Sequence, residues 1–396
     1  MKTLLAKRNQ LIKPSPTLAI NAKAKALKEA GNDVVSFGAG EPDFDTPAHI
    51  KQAAVKALES GDTKYTAVSG TPAMKQAIIH KFERDQKTKF QPNEVMVSCG
   101  GKHTLFNTIF ALCDPGDEVI IPVPYWVSYP DMVRLAGGTP VFVQPVDKES
   151  WAITASDVEK AITPKTKAII INSPNNPTGG AYDRQTLEAI VKIALEKNLF
   201  IISDEIYEKL VFSNFRFTSL LDFVPAYPKL KDQLLIAHGV AKTYSMTGWR
   251  IGYCAGPSWL VDAMAALQGA STSNPTSFAQ AGAIAALTGA QDSVETMRQA
   301  FEKRARLIVD LLRDIPGVTC AEARGAFYAF PNFQKLLDGG RFGKNDAELT
   351  DYLLTKHNLA VVPGAEFGAP GHLRLSFAIS DEQIKKGVQR MKAALA

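Results

Sequence analysis

Residues 168–207 read AIIINSPNNPTGGAYDRQTLEAIVKIALEKNLFIISDEIY, and this stretch decides the fold. It opens on an apolar, β-branched run (168–171) and closes on a second (199–202), with a helix-length segment between them. Strands that are apolar at every position have both faces buried, and strand–helix–strand units pair their strands in parallel. Further runs of this kind stand at 95–98, 118–121, 234–237 and 251–254. Thr71-Pro72 reads as an N-cap with proline at the first helical position, and Met74, Ala77, Ile78 and Phe82 then share one helix face. The expectation is an α/β architecture, a large domain over 46–290 with a mostly parallel sheet sandwiched by helices. In such sheets ligands sit beyond the carboxyl ends of the strands, where the polar motifs of this chain fall.

The pattern changes after residue 290. Residues 293–313 predict one long helix with Met297, Phe301, Ile308 and Leu312 inward, stopped by Pro316-Gly317. The chain closes on another helix, with Ser380-x-x-Gln383 as its capping box and Ile384, Val388, Met391 and Leu395 as its buried stripe. Residues 291–396 are read as a smaller α+β domain, with 15–45 folding back onto it and 1–14 as an amino-terminal arm. The basic run Lys303-Arg304-Ala305-Arg306 reads as a solvated helix face.

With 396 residues the chain has room for two cores, since single cores stop growing near ~250–300 residues. Its 45% hydrophobic and 21% charged residues exclude disorder, and a net charge of +5 gives no cause to expect nucleic acid or membrane as partner. Cys99, Cys113, Cys254 and Cys320 are widely spaced, which argues against a disulfide framework or a zinc site. No apolar run approaches the ~18–20 residues of a membrane span. The opening MKTLLAKRNQLIKP has only Leu4–Ala6 as its apolar stretch, too short for a secretory signal. A cytoplasmic, reduced protein without a metal centre is expected.

Two glycine-rich matches fail as nucleotide sites. Gly38-Ala39-Gly40 has Asp43 where a dinucleotide fingerprint needs its third glycine. Gly101-Lys102 has Met96 in place of the first P-loop glycine and His103 in place of the magnesium-binding hydroxyl. The informative segment is Ala241-Lys242-Thr243-Tyr244-Ser245-Met246-Thr247-Gly248-Trp249-Arg250, which follows the strand at 234–237. A lysine at a strand-end turn is placed to form a Schiff base once its amine is desolvated, and Arg250 offers a planar fork of donors for phosphate. At other strand ends stand Asp204 and Tyr207, the run Asn172–Gly179, Pro124-Tyr125-Trp126, and Gly100-Gly101-Lys102 opening a helix. Glycines there let backbone amides approach an anion.

The segment 241–250 closely resembles the cofactor-lysine motif of the class I/II (fold type I) pyridoxal-phosphate aminotransferases, and the resemblance covers nearly the whole chain. It implies pyridoxal 5'-phosphate as cofactor, amino acids and 2-oxo acids as substrates, and a homodimer with composite active sites. Carried over by motif, Lys242 bears the cofactor and moves protons. Asp204 keeps its ring nitrogen protonated, Tyr207 and Asn176 meet its phenolate oxygen, and Trp126 stacks on its face. Gly100, Gly101, Lys102 and Arg250 cradle the phosphate, with Tyr65 reaching it from the neighbouring subunit. Gly239 stands where family members often carry a phosphate-binding serine. Arg374 is expected to clamp the substrate α-carboxylate, assisted by the backbone of Gly40 and by Asn176 and Trp126. The stretch 271–277 lacks the arginine that some relatives use for a distal carboxylate, so the chain resembles the bacterial aspartate/prephenate branch, with Lys13 and Lys102 as the candidates. The family also implies a cis bond before Pro177. An aromatic or kynurenine aminotransferase, or a carbon–sulfur lyase of the same fold, is the alternative. A ligand-sensing regulator would append a DNA-binding domain, for which the arm leaves no room.

Overall fold

The computed structural model describes residues 4–12, 16–146, 151–213 and 215–396. After a short strand β1 (Val35–Ser36), the chain builds a sheet from β2 (Val95–Ser98), β3 (Glu118–Pro122), β4 (Thr139–Val143), β5 (Thr166–Asn172), β6 (Phe200–Asp204), β7 (Leu234–Gly239) and β8 (Gly252–Ala255). Their order is β2-β8-β7-β6-β5-β3-β4. From β4 to β7 all neighbours are parallel, whereas β8 runs against both β7 and β2. The second reversal returns β2 to the common direction, so its carboxyl end shares an edge with those of β3, β5, β6 and β7. The edge strand β4 escapes the sequence reading because it opens on Thr139-Pro140 and leaves Phe142 40% exposed, which blurs any apolar run.

Alternate residues of these strands feed two layers. Val97, Ile169, Ile171, Ile201 and Ile236 pack with Phe82, Leu187 and Ala283, which come from helices Pro72–Gln86, Arg184–Glu196 and Ser277–Thr288. Ala168, Ile170, Phe200, Ile202 and Leu235 pack on the other face with Leu105 and Ile109 of helix Gly101–Leu112 and Leu260 and Met264 of helix Ser258–Ser271. The period-two geometry of a strand serves both faces from one apolar run. Thr71 caps its helix as expected, accepting from the Met74 amide at 3.2 Å.

A separate core forms around Phe301, Ile308 and Leu312 of helix Asp292–Arg313 and Ile384, Val388 and Met391 of helix Asp381–Leu395. β9 (Tyr328–Ala329), β10 (Leu359–Ala360), β11 (Val362–Pro363) and β12 (Leu373–Ser376) complete this region. β12 lies between β11 and β9 in an antiparallel sheet. β1 pairs in parallel with β10, Val35 opposite Leu359. Ser380 caps the last helix, accepting from the Gln383 amide.

Two expectations are corrected. Arg304 is not on a solvated face: it is buried, ion-paired to Asp43 at 2.7 Å and to Asp381 at 3.5 Å, because the segment after Gly40 crosses the long helix there. The cis bonds precede Pro124 and Pro174, not Pro177. Residues 176–178 form a helical turn closed by the Gly179 amide on the Asn175 carbonyl, which takes trans peptides. No helix among the described residues is long and apolar enough to cross a membrane.

Behind the sheet edge lies a buried ion pair, Lys81 Nζ to Glu208 Oε1 at 2.6 Å, both side chains 2% exposed. Gln86 donates to the other Glu208 oxygen at 2.7 Å, and His238 Nε2 lies 3.2 Å from Oε1. Burial opposes ionisation of Glu208, but Lys81 and His238 hold it well below the usual carboxylate range. Removing one member of such a pair strands the other charge. Lys81→Met is therefore expected to destabilise the protein by about 3 kcal/mol or more. Chemical-denaturation midpoints check this, and an unchanged midpoint would mean that the pair contributes nothing.

Candidate active site

The shared sheet edge opens on a cavity of about 400 Å³. Lys242, Asp204, Asn176, Tyr207, Trp126, Gly101, Lys102, Arg250, Gly40 and Arg374 all line it, so residues more than 300 positions apart meet in one place. Strand register does much of the gathering: β5 and β6 set Asn172 opposite Asp204, and β6 and β7 set Asp204 opposite Ala237. Asn172 then ties the motifs together, donating to the Asp204 carbonyl at 3.0 Å and accepting from the Asn176 amide at 3.0 Å.

Lys242 sits in the turn after β7, and its amine donates to the Gly40 carbonyl at 2.5 Å. Burial pulls this amine down to about 8. Arg374 and Arg250 act in the same direction, while Glu41 and Asp204 oppose. Asp204 ends β6 on the cavity floor, 6% exposed. Burial pushes its carboxyl up to about 6, although the Tyr129 hydroxyl, donating at 2.6 Å, and the Ile206 amide both favour the ionised form.

At one end of the cavity the Gly100-Gly101 turn opens helix Gly101–Leu112, whose first amides have no partner within the helix. Gly100 has φ +97°, and a Cβ there would run into the Arg250 guanidinium. Arg250, itself left-handed at φ 54°, is held by the Thr247 carbonyl at 2.8 Å and the Cys99 carbonyl at 3.4 Å. Gly239 is explained by packing: a Cβ would lie 3.1 Å from both Ile206 and the Ile251 carbonyl. Lys102 reaches over Trp126, its amine 5.0 Å from the ring centroid.

At the opposite end Arg374, on β12, is 3% exposed. It donates to Asn176 Oδ1 at 3.2 Å and to the Gly38 carbonyl at 2.8 Å, while its Nε has no partner among the described residues. Its guanidinium lies over Tyr328 and Phe367, at 4.9 and 5.2 Å. Among the described residues no carboxylate forms an ion pair with it. A buried cation without a counter-ion is costly unless a ligand supplies the negative charge.

Tyr65 does not reach this cavity; it is 90% exposed on its own chain. Lys13 lies outside the described residues. Several lining residues escaped sequence reading: Thr17, whose buried hydroxyl has no partner among the described residues, and also Tyr129, His238 and Tyr328. Tyr129 follows Trp126 by three positions on a helical turn, a signal that was present. Tyr328 lies in an apolar strand and carried none.

The family model for aminotransferase class I and II matches residues 32–391, and the chain belongs to this family of pyridoxal-phosphate enzymes. It is 50% identical over 387 residues to an aspartate aminotransferase of Geobacillus stearothermophilus, covering 98% of each chain. It is 45% identical over 402 residues to an aspartate/prephenate aminotransferase of Nitrosomonas europaea, covering 99% of this chain and 100% of that one. The solved Thermus thermophilus aspartate aminotransferase with maleate superposes with a TM-score of 0.92 at 40% identity, covering all of both chains. The cavity fits the family's cofactor. It has amide donors and Arg250 at one end, a carboxylate on its floor, an aromatic wall and a desolvated amine between them.

An amine drawn down to about 8 is neutral, and hence nucleophilic, above that pH. In the cofactor-free protein, competitive acylation of Lys242 should rise with a midpoint near pH 8, well below the ordinary lysine value of ~10.4. A midpoint near that ordinary value would show the amine to be solvated.

Proposed function

We propose that this chain transfers the amino group of aspartate to a 2-oxo acid such as 2-oxoglutarate, and that it also aminates prephenate to arogenate. The observation that carries the reading is Arg374, buried and, among the described residues, without a counter-ion, within the cavity that holds Lys242. The names of the bacterial relatives agree with it.

When bound, pyridoxal phosphate supplies an aldehyde for amines and a ring that withdraws electrons from the substrate α-carbon. Its phosphate would be held by the Gly101 and Lys102 amides and by Arg250; the Gly100 amide instead donates to the Ser98 carbonyl at 2.7 Å, so Gly100 shapes the turn. Asp204 would keep the ring nitrogen protonated, Tyr207 and Asn176 would meet the phenolate oxygen, and Trp126 would cover one face. The Lys242 Nζ would take the proton from the substrate α-carbon and, once protonated, serve as the acid that gives it back. Its value of about 8 suits both roles near neutral pH. Arg374 takes the α-carboxylate bidentately with the Gly40 backbone beside it, which fixes the C–H bond toward the lysine. Lys13 and Lys102 are proposed to receive the distal carboxylate.

The same reading includes a homodimer in which Tyr65 serves the neighbouring site. Support comes from the 90% exposure of Tyr65 and from exposed Leu4, Leu5, Leu11 and Ile12 in the arm. A cytoplasmic location and the division into arm (1–14), large domain (46–290) and small domain (15–45 with 291–396) belong to it as well. The two separate cores favour that division.

Arg374→Ala is expected to lower kcat/KM for every amino donor by about two orders of magnitude, the cost of losing a buried charge contact. Lys13→Ala should instead penalise dicarboxylic donors over monocarboxylic ones. Steady-state kinetics with aspartate, glutamate, alanine and phenylalanine separate the two. Unchanged kinetics in Arg374→Ala would remove it from the site, and an equal effect of Lys13→Ala on all donors would make that lysine structural.

A further inference from the structure

Tyr328, on β9, is 1% exposed, and its hydroxyl lies 2.9 Å from the hydroxyl of Tyr207, itself 3% exposed. The two rings meet edge-on with centroids 5.9 Å apart. The Tyr328 oxygen also lies 3.0 Å from where a Cβ on Gly40 would stand, and the Arg374 guanidinium rests over the Tyr328 ring. One side chain thus touches the proposed ring-binding tyrosine, the backbone of the lysine's hydrogen-bond partner and the proposed carboxylate-binding arginine. The mechanism above gives it no task.

We propose that Tyr328 is a positioning residue that couples the two ends of the site: its hydroxyl donates to the Tyr207 oxygen, turning the Tyr207 proton into the cavity, and its ring supports Arg374. The proposal rests on the reading of Lys242, Tyr207 and Arg374 given above and deepens it.

The direction of donation follows from the charges around the pair. Two phenols in contact share one proton between their oxygens, and the phenol whose anion is better stabilised is the stronger donor. The charged groups whose fields reach the pair are Asp204, from β6, and Arg374, from β12. Burial raises both phenols. Tyr207 lies well above the usual tyrosine range, carried there first by burial, then by the contact with Tyr328, with Asp204 adding to the rise. Arg374 opposes the rise at both, and at Tyr328 it is the largest opposing influence. Tyr328 is therefore the donor and Tyr207 the acceptor. With its oxygen so engaged, Tyr207 directs its own O–H to the remaining side, the cavity, and a donor that is itself accepting a hydrogen bond is strengthened. A carboxylate arriving on Arg374 reduces the field at Tyr328 and so weakens the chain, which carries the state of the carboxylate end to the ring end.

Two substitutions separate hydroxyl from ring. Tyr328→Phe removes only the hydroxyl; Tyr328→Leu removes the ring as well. The readouts are the pH midpoint of the holoenzyme's visible absorbance and the Kd for maleate, an unreactive dicarboxylate. In Tyr328→Phe the midpoint should rise by about half a unit or more. A weakened Tyr207 donor leaves more negative charge on the ring oxygen to hold the neighbouring proton. Maleate affinity should stay within about twofold, whereas Tyr328→Leu should weaken it about fivefold or more. Adding Tyr328→Phe to Tyr207→Phe should move the midpoint no further than Tyr207→Phe alone. An unchanged midpoint in Tyr328→Phe, or full additivity in the double variant, overturns the proposal, and either result is available from the Phe variants even if Tyr328→Leu fails to fold. A wild-type holoenzyme with no visible band at all would defeat the reading of Lys242 instead.

Discussion

The structure depends on positive charge that its own cavity does not balance. Arg374, Arg250 and Lys242 converge on a site whose floor carries one carboxylate, Asp204. Exposed at a surface, such an excess would be screened by salt and water. Here Arg374 is buried with an Nε that has no partner among the described residues, and burial draws the Lys242 amine down to about 8. Charge of this kind is stable only if the surrounding fold prevents relaxation, and useful only if an anionic ligand completes it. On the proposed function, a phosphate at the Arg250 end and a carboxylate at the Arg374 end would meet those demands.

The fold keeps these cations in place by making the gathering of residues a matter of strand register. The carboxyl ends of β3, β5, β6 and β7 reach one edge because these strands are parallel, and that of β2 joins them because β8 is antiparallel to both β7 and β2. Asn172, Asp204 and Ala237 are then side by side through backbone pairing, so a register slip in any strand would displace the site. The arginine from β12 arrives from the other core, held by the Gly38 carbonyl and, toward the strand ends of the large sheet, by Asn176.

Much of this was legible in the sequence. The central strands are apolar on both faces, the helix from Pro72 carries its cap and stripe, and each polar motif sits just past a strand. The edge strand at 139–143 was not legible, because an edge strand with one exposed face lacks the continuous run that marks its neighbours. Arg304 read as solvated since local periodicity says nothing of Asp43, which is 261 positions away. For the same reason Lys242, Asp204, Asn176 and Arg374 could be named from motifs, whereas Tyr328 could not. Its role depends on which hydroxyl lies 2.9 Å away, and a strand of apolar residues conceals that.

The central claim is that the amine of Lys242, and no other, holds the cofactor. Borohydride reduction of the holoenzyme followed by peptide mass mapping tests it directly. The account predicts one pyridoxyl-phosphate tag per chain, on the peptide containing Lys242. A tag on another lysine, or none at all, would contradict it.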